Sequence, residues 1–138
     1  DEAMECNECV NSDDGRPRLL VAEDNPSNFK LVEVLLRRDY ELVHAWDGRQ
    51  AVDMFAEVHP DLVLMDINMP VMNGYEATAE IRKLSESVPI IAVTAFAFAS
   101  DEQKVLQSGF DGYMAKPINA LQLRTQIVDM LRKHVVLL

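Results

Sequence analysis

The chain has 138 residues, which is enough for one domain with a single substantial core. Hydrophobic residues make up 49% of it and charged residues 26%, a balance that is typical of globular proteins and not of disordered segments. The formal net charge of −10 disfavours nucleic-acid binding by this segment, because an acidic surface repels phosphate backbones. No apolar run approaches the roughly 18 residues of a membrane span, so we expect any membrane attachment to lie elsewhere.

Residues 1–17 are polar and acidic and lack hydrophobic periodicity, which predicts a linker or tail. Cys6 and Cys9 form a C-x-x-C pair within it. A structural zinc site needs about four ligands, and neither a second cysteine pair nor a histidine cluster supplies the rest. We therefore interpret the pair as two cysteines of a polar tail, with a metal or redox role as the alternative.

From Arg18 onward, short apolar runs alternate with longer stretches of helical period. The runs predicted as strands are residues 19–22, 42–46, 62–65, 89–93 and 112–115. The first, third and fourth are apolar throughout, which suits strands buried on both faces of a parallel sheet.

Five helical segments follow these strands. They are predicted to begin at Asn25, Asp47, Gly74, Ser100 and Asn119. Pro26 fits the first helical position, and Gly109 is typical of a residue that ends a helix. The residues expected to face the core are Phe29, Val32, Leu35, Leu36, Ala51, Val52, Phe55, Val58, Ala77, Ile81, Leu84, Leu123, Ile127, Met130 and Leu131. Strict alternation predicts a doubly wound α/β sandwich with right-handed crossovers, and five units are too few for an eight-stranded barrel.

Polar residues terminate four of the five predicted strands. They are Glu23 and Asp24 after the first, Asp66 after the third, Thr94 after the fourth and Lys116 after the fifth. Any one of them is explained by a strand meeting solvent. Because ligands bind outside the carboxyl ends of parallel strands, the four together indicate a site for a metal and a phosphate.

The chemistry of these side chains favours Mg²⁺ and phosphoryl transfer. Crowded carboxylates repel one another, and a hard cation with oxygen ligands relieves that repulsion. A carboxylate such as Asp66 can then act as a nucleophile, while Lys116 and Thr94 supply a cation and a hydroxyl donor. A hydrolase with the same aspartyl-phosphate step is the alternative, but it would need a general acid where this chain has Asn68.

The chain from Arg18 to Lys133 resembles the receiver domain of two-component response regulators, the CheY-like group. The segments that carry the resemblance are Leu20-Val21-Ala22-Glu23-Asp24-Asn25, Asp61-Leu62-Val63-Leu64-Met65-Asp66-Ile67-Asn68-Met69-Pro70, Asn73-Gly74, Val93-Thr94-Ala95 and Gly112-Tyr113-Met114-Ala115-Lys116-Pro117. The resemblance implies an α/β fold of the flavodoxin-like, CheY-like type: a (βα)5 three-layer sandwich around a doubly wound five-stranded parallel sheet of strand order 2-1-3-4-5.

The resemblance also implies roles for individual residues. Asp66 would be the phosphoacceptor and would take its group from a phosphohistidine. The implied Mg²⁺ ligands are Asp24, Asp66 and the backbone carbonyl of Asn68, with Glu23 acting through a metal-bound water. Thr94 and Lys116 would sense the phosphoryl group, and Tyr113 would be the aromatic switch on a face formed by the fourth helix, fifth strand and fifth helix. The Lys116–Pro117 peptide is expected to be cis.

These expectations extend to the parent protein. We expect residues 1–17 to be a linker, 18–134 the receiver domain and 135–138 a tail, cut from the carboxyl end of a hybrid histidine kinase. A stand-alone regulator and a receiver from a transcriptional regulator are the alternatives. The expected partners are a histidine kinase or phosphotransfer domain as donor and a histidine phosphotransfer protein downstream. The expected location is cytoplasmic, with a parent that can be anchored in the inner membrane.

Three further expectations remain: two concern alternative functions, and one concerns a departure from the family pattern. A flavodoxin-like cofactor-binding domain would need a turn rich in Gly, Ser or Thr after the first strand, where this chain has Glu-Asp-Asn-Pro. A pseudo-receiver is disfavoured because every pocket residue is present. Phe96, two residues after Thr94, is hypothesised to shield an acyl phosphate from water, with simple loop packing as the alternative.

Overall fold

A parallel sheet of five strands, each followed by a helix, makes up the described part of the chain. The computed structural model describes residues 16–94, 99–116 and 118–137. The strands are β1 (Arg18–Ala22), β2 (Glu41–Ala45), β3 (Leu62–Asp66), β4 (Ile90–Thr94) and β5 (Gly112–Ala115). The helices are α1 (Pro26–Leu36), α2 (Gly48–Val58), α3 (Gly74–Leu84), α4 (Ala99–Gln107) and α5 (Ala120–Leu137). The strand order β2-β1-β3-β4-β5 confirms the predicted (βα)5 fold.

The core has two parts, one on each face of the sheet. Alternate residues of a strand point to opposite faces, so Leu20 belongs to one part and Leu19 to the other. Helices α2, α3 and α4 cover the first face, and α1 and α5 cover the second. Strands β3 and β4 are buried along their whole length, as their uninterrupted apolar sequences predict.

Side-chain caps fix where the helices begin. The Asn25 side chain accepts hydrogen bonds from the backbone of Ser27 and Asn28, and Asp47 caps α2 in the same way through the amide of Gln50. Asn73 and Glu76 form a reciprocal capping box at the start of α3. These caps lie in the loops that follow β1, β2 and β3, so they also fix the loops around the carboxyl end of the sheet.

One residue of the predicted core is wrong. Leu84 was expected to face inward but is 55% exposed, because it is the last residue of α3 and reaches the amino end of the sheet, where little strand surface remains to cover it. Val58, at the end of α2, is half-buried. The predicted second strand also ran one residue too far, since Trp46 follows β2 and is 47% exposed.

Arg82 joins α3 to the segment between α4 and β5. Its Nε donates to the Gly109 carbonyl at 2.9 Å, and one terminal nitrogen donates to the Val88 carbonyl at 2.7 Å. The other terminal nitrogen lies 2.7 Å from Asp111 Oδ2, which also accepts from the Ile90 amide at 3.0 Å. Gly109 has a φ of 106°, a conformation that favours glycine and agrees with its predicted role after α4.

Several expectations fall on other residues. Cys6, Cys9, Phe96 and Pro117, and with Pro117 the cis peptide, lie outside the described residues. Within the described residues, no helix is both long enough and apolar enough to span a membrane.

Candidate functional site

The strand order brings the three predicted carboxylates together. Strand β1 pairs with β2 on one side and β3 on the other, so the order of the sheet reverses at β1. Glu23 and Asp24 follow β1, and Asp66 is the last residue of β3. One carboxylate oxygen from each of the three lies within 4.8 Å of the others. This is the crevice in which open α/β sheets bind ligands.

Lys116 lies against two of these carboxylates. Its Nζ is 2.9 Å from Asp66 Oδ2 and 3.3 Å from Glu23 Oε1. The Asp66 and Glu23 side chains are only 3% and 5% exposed, while Asp24 is exposed. A buried carboxylate pair is thus held by one ammonium group, and a third carboxylate stands at the solvent side.

The charges in this cluster are not balanced by Lys116 alone. Burial, followed by the nearby charge of Asp66 and a hydrogen bond with it, raises the pKa of Glu23 to about 7. The two acidic neighbours raise the pKa of Lys116 above its usual value despite the opposing effect of burial, so the ammonium stays charged. The site therefore has excess negative charge and an all-oxygen donor set, and both suit a hard divalent cation such as Mg²⁺.

A backbone amide contacts the other oxygen of the Asp66 carboxylate. The Asn68 amide donates to Asp66 Oδ1 at 3.0 Å, so Lys116 and Asn68 each contact a different oxygen. Helix α3 starts close by: the Gly74 amide donates to the Ile67 carbonyl at 3.0 Å. A Cβ on Gly74 would lie 2.7 Å from the Asp66 carbonyl oxygen, so only glycine allows this approach.

The predicted sensing residues lie on the next two strands. Thr94 is buried, and its Oγ1 lies 3.5 Å from the side-chain nitrogen of Asn68. The Lys116 amide donates to the Thr94 carbonyl at 2.8 Å, which ties the end of β5 to the end of β4. Tyr113 is half-buried against the core on the α2-α3-α4 face, and its carbonyl accepts from Gln126 at 3.1 Å.

Two residues near the site were not predicted from the sequence. The Asn25 amide donates to Glu23 Oε2 at 3.2 Å, a role beyond its predicted cap of α1. His44 Nε2 lies 2.8 Å from the Glu23 backbone carbonyl. His44 is the penultimate residue of β2, the strand beside β1, and this position could have indicated that it lies near the site. Hydrophobic patterning gives no weight to a single polar residue in a strand, so it was not identified from the sequence.

Comparison with known proteins decides the family. Residues 19–128 match the model of the response regulator receiver domain. The chain belongs to the response regulator receiver domain family. This confirms the resemblance read from the motifs and the assignment to two-component signalling.

The receiver has relatives in two kinds of parent protein. It is 42% identical over 128 residues to hybrid signal transduction histidine kinase I of Dictyostelium discoideum, covering 86% of this chain and 7% of that one. It is 40% identical over 104 residues to the polar-differentiation response regulator DivK of Brucella ovis, covering 73% of this chain and 85% of DivK. The chain therefore spans a small part of the hybrid kinase but most of DivK.

Solved structures give the same picture of the receiver fold. The receiver domain of the sensor histidine kinase PA1611 from Pseudomonas aeruginosa, with a magnesium ion in its active-site cleft, has a TM-score of 0.78 at 38% identity and covers 84% of this chain and 98% of that one. The receiver domain of Ssk1, crystallised with the histidine phosphotransfer protein Ypd1 of Saccharomyces cerevisiae, has a TM-score of 0.78 at 30% identity, with 83% and 88% covered.

Proposed function

We propose that Asp66 is the phosphoacceptor of this receiver domain. The observation that supports this choice is that Asp66 ends a buried central strand while its two carboxylate oxygens contact Lys116 and the Asn68 amide. The carboxylate is thus held in one orientation beside an acidic pair. Glu23 has a pKa raised to about 7, so it is partly protonated at neutral pH and is a poorer nucleophile than an ionised carboxylate.

The proposed reaction moves a phosphoryl group between two residues. A carboxylate oxygen of Asp66 bonds to phosphorus as the bond from phosphorus to the donor's imidazole nitrogen breaks, and that nitrogen keeps the electron pair. Lys116 lies beside Asp66 and neutralises charge that the arriving group brings. The Thr94 hydroxyl supplies a donor to a phosphoryl oxygen. These contacts account for catalysis by position and charge, without a separate general acid.

The proposed metal ligands are Asp24, Asp66 and the backbone carbonyl of Asn68, with Glu23 acting through a water. The close approach of three carboxylates and the raised pKa of Glu23 support a cation here. When bound, Mg²⁺ supplies charge neutralisation for the phosphoryl oxygens and keeps several water ligands. PA1611, the similar receiver, carries magnesium in its cleft.

The proposed output is a shift between two conformations of the face formed by α4, β5 and α5, with Tyr113 and Thr94 as the switch residues. The backbone hydrogen bond between Lys116 and Thr94 supports coupling of the phosphorylation site to this face. Moving a two-state balance from 1:99 to 99:1 takes about 5.5 kcal/mol, which a few charge-assisted hydrogen bonds supply.

We propose a hybrid histidine kinase as the parent, with residues 1–17 as a linker, 18–134 as the receiver and 135–138 as a tail. The Dictyostelium relative supports this context, and DivK supports a stand-alone regulator as the second candidate. The donor would be a histidine kinase or phosphotransfer domain; the Ssk1 receiver, which is downstream of the histidine phosphotransfer protein Ypd1, supports the second kind of donor. A histidine phosphotransfer protein downstream of this receiver is the further partner that we propose. The proposed location is cytoplasmic. The gene sequence upstream of Asp1 tests the parent directly.

The decisive experiment for Asp66 is incubation with acetyl phosphate and Mg²⁺, followed by intact-mass measurement. The wild-type chain should gain one phosphoryl mass, and Asp66→Asn should gain none. Asp53→Asn, which removes an exposed carboxylate on α2, is the matched control and should react like wild type. Phosphoryl incorporation that survives in Asp66→Asn would overturn the assignment.

A further inference from the structure

His44 is a histidine near the site for which the proposed chemistry has no use. Its Nε2 lies 2.8 Å from the Glu23 backbone carbonyl oxygen. A carbonyl can only accept a hydrogen bond, so the contact requires the tautomer in which Nε2 carries the hydrogen and donates it. His44 thus contacts the main chain of Glu23 and Asp24, the acidic turn that follows β1, and not their carboxylates.

The hydrogen bond between His44 and Glu23 lies at the carboxyl end of β1, where the pairing of β1 with β2 stops. The last registered pair of β1 and β2 is Ala22 with Ala45, and the Glu23 amide makes one more ladder bond, to the Ala45 carbonyl at 3.0 Å. Beyond this point β2 ends, so the strand offers no further registered partner to β1. The imidazole of His44 supplies a donor to the Glu23 carbonyl at the position where the ladder ends.

The imidazole is itself held between two aromatic rings. Phe29 of α1 stacks on it with ring centroids 3.7 Å apart and planes 3° from parallel. Trp46 lies on it at 4.2 Å with a tilt of 39°. These two rings, one on α1 and one directly after β2, therefore restrict the rotation of the imidazole, and a donor with a fixed direction costs less ordering entropy per hydrogen bond.

We propose that His44 is a positioning residue, which holds the Glu23 main chain so that the acidic pair Glu23 and Asp24 faces Asp66. Glu23 and Asp24 share the peptide whose carbonyl His44 binds, so a shift of that peptide moves both carboxylates. The inference rests on the proposed function only in its consequence for Mg²⁺; the position of the turn is a property of the metal-free protein. In metal sites, partners that orient ligands in this way typically change affinity by about 10- to 100-fold when they are removed.

Three variants separate the hydrogen bond from the packing. His44→Phe keeps an aromatic ring between Phe29 and Trp46 but removes the donor. His44→Gln places an amide nitrogen the same number of bonds from the backbone as Nε2 and should restore the donor. His59→Asn is the control for loss of a histidine, because His59 is exposed at the far end of α2 and asparagine tolerates its φ of 49°.

The first measurement is amide hydrogen exchange in the metal-free full chain. In His44→Phe, exchange of the Glu23 and Asn25 amides should rise about three- to tenfold relative to the Leu20 amide inside β1, as expected for one lost hydrogen bond. His44→Gln should return most of this protection, and His59→Asn should match wild type. A purely structural role for His44 would raise exchange at all three amides together and would overturn the proposal.

The second measurement is the Kd for Mg²⁺, obtained by titration calorimetry with MgCl2. His44→Phe should bind about tenfold more weakly than wild type, with most of the affinity regained in His44→Gln. A wild-type Kd in folded His44→Phe would overturn the proposal. If the expected differences are found but wild type gains no phosphoryl mass from acetyl phosphate, the proposed function fails while the role of His44 stands.

Discussion

The Nζ atom of Lys116 lies 2.9 Å from Asp66 Oδ2, so the end of β5 supplies the cation for a carboxylate two strands away. Strand β4 lies between β3 and β5, and the hydrogen bond from the Lys116 amide to the Thr94 carbonyl holds Lys116 beside the end of β4. The ion pair is largely buried, with Lys116 19% exposed and Asp66 3% exposed. Such a pair is costly to break from one side, because the remaining charge is left without a partner.

Lys116→Met should therefore destabilise the metal-free protein. We expect a loss of about 2 kcal/mol in the free energy of unfolding at neutral pH, because Asp66 and Glu23 lose their shared cation. Added Mg²⁺ should reduce the difference by providing another cation. Urea denaturation with EDTA and with MgCl2 measures both effects. Lys83→Met, which breaks an exposed pair with Glu80, is the control and should cost well under 1 kcal/mol.

The raised pKa of Glu23 predicts an unusual pH dependence of stability. In the unfolded chain Glu23 has its ordinary pKa of 4.5, and in the fold it is about 7. Between these values the folded state binds more protons, so the stability due to this group is complete below about pH 4.5 and is lost as the pH rises through 7. The loss should be on the order of 3 kcal/mol in the absence of metal.

Glu23→Gln tests this dependence because it keeps the shape of the side chain without its charge. In EDTA, the wild-type free energy of unfolding should fall between pH 5 and pH 8 more steeply than that of the variant. Parallel curves for the two proteins would contradict the assignment. Mg²⁺ should flatten the wild-type curve, since a bound cation stabilises the ionised carboxylate.

Gly74→Ala should disturb the site through the backbone. The new Cβ would lie 2.7 Å from both the Asp66 carbonyl oxygen and the Ile67 Cα, and neither atom can move without moving β3. We expect a loss of about 2 kcal/mol in the free energy of unfolding and slower phosphorylation by acetyl phosphate. Gly112→Ala is the comparison, because its Cβ would meet mainly the flexible ends of Gln126 and Met130 at 3.0 and 3.2 Å. Equal effects of the two substitutions would count against a specific close approach at Gly74.

Val71→Gly should stabilise the protein. Val71 has a φ of 69° and is 80% exposed, so a branched side chain is held in a conformation that it rarely adopts and gains little from packing. Relief of about 1–3 kcal/mol of strain should exceed the 0.5–1 kcal/mol entropic cost of glycine, for a net gain of about 1 kcal/mol. The midpoint of thermal unfolding measures it. Val34→Gly, at an exposed position inside α1, should instead destabilise by about 1 kcal/mol.

Arg82→Ala should cost about 2–3 kcal/mol in the free energy of unfolding, which chemical denaturation measures. The substitution removes the side-chain donor to the Gly109 and Val88 carbonyls, and Asp111 loses its ion pair but keeps the Ile90 amide as a donor. Arg82→Lys should recover little of this loss, because an ammonium cannot reproduce the planar set of donors. A lysine variant as stable as wild type would show that charge alone is needed.

The sequence alone was sufficient to predict the fold and to identify the residues that make up the site. Apolar runs such as residues 62–65 and caps such as Asn25 are local signals, and the structure keeps them almost to the residue. The polar residues at the strand ends were predicted to meet because parallel strands end at one edge. The structure shows that Glu23, Asp24, Asp66 and Lys116 lie close together, whereas the roles of the acceptor, metal-binding and switch residues remain predictions.

What the sequence did not predict depends on contacts between distant segments. Arg82 reads as a solvated residue on an amphipathic helix, and nothing near it in the chain identifies Gly109 and Asp111 as its partners. His44 is similar, since its partner Glu23 is 21 positions away. The prediction that Leu84 is buried was wrong for a simpler reason: helical period predicts which side of the helix a residue faces but not where the sheet ends.

The Arg82 contacts also have a mechanical meaning for the proposed output. They fasten the segment directly after α4 to α3 and to the start of β4, at the end of the helix remote from Thr94. A rod that is held at one end and displaced at the other rotates about the held end. A movement that begins at Thr94 would therefore be read by a partner as a change in the tilt of α4, greatest near the phosphorylation site and smallest beside Arg82.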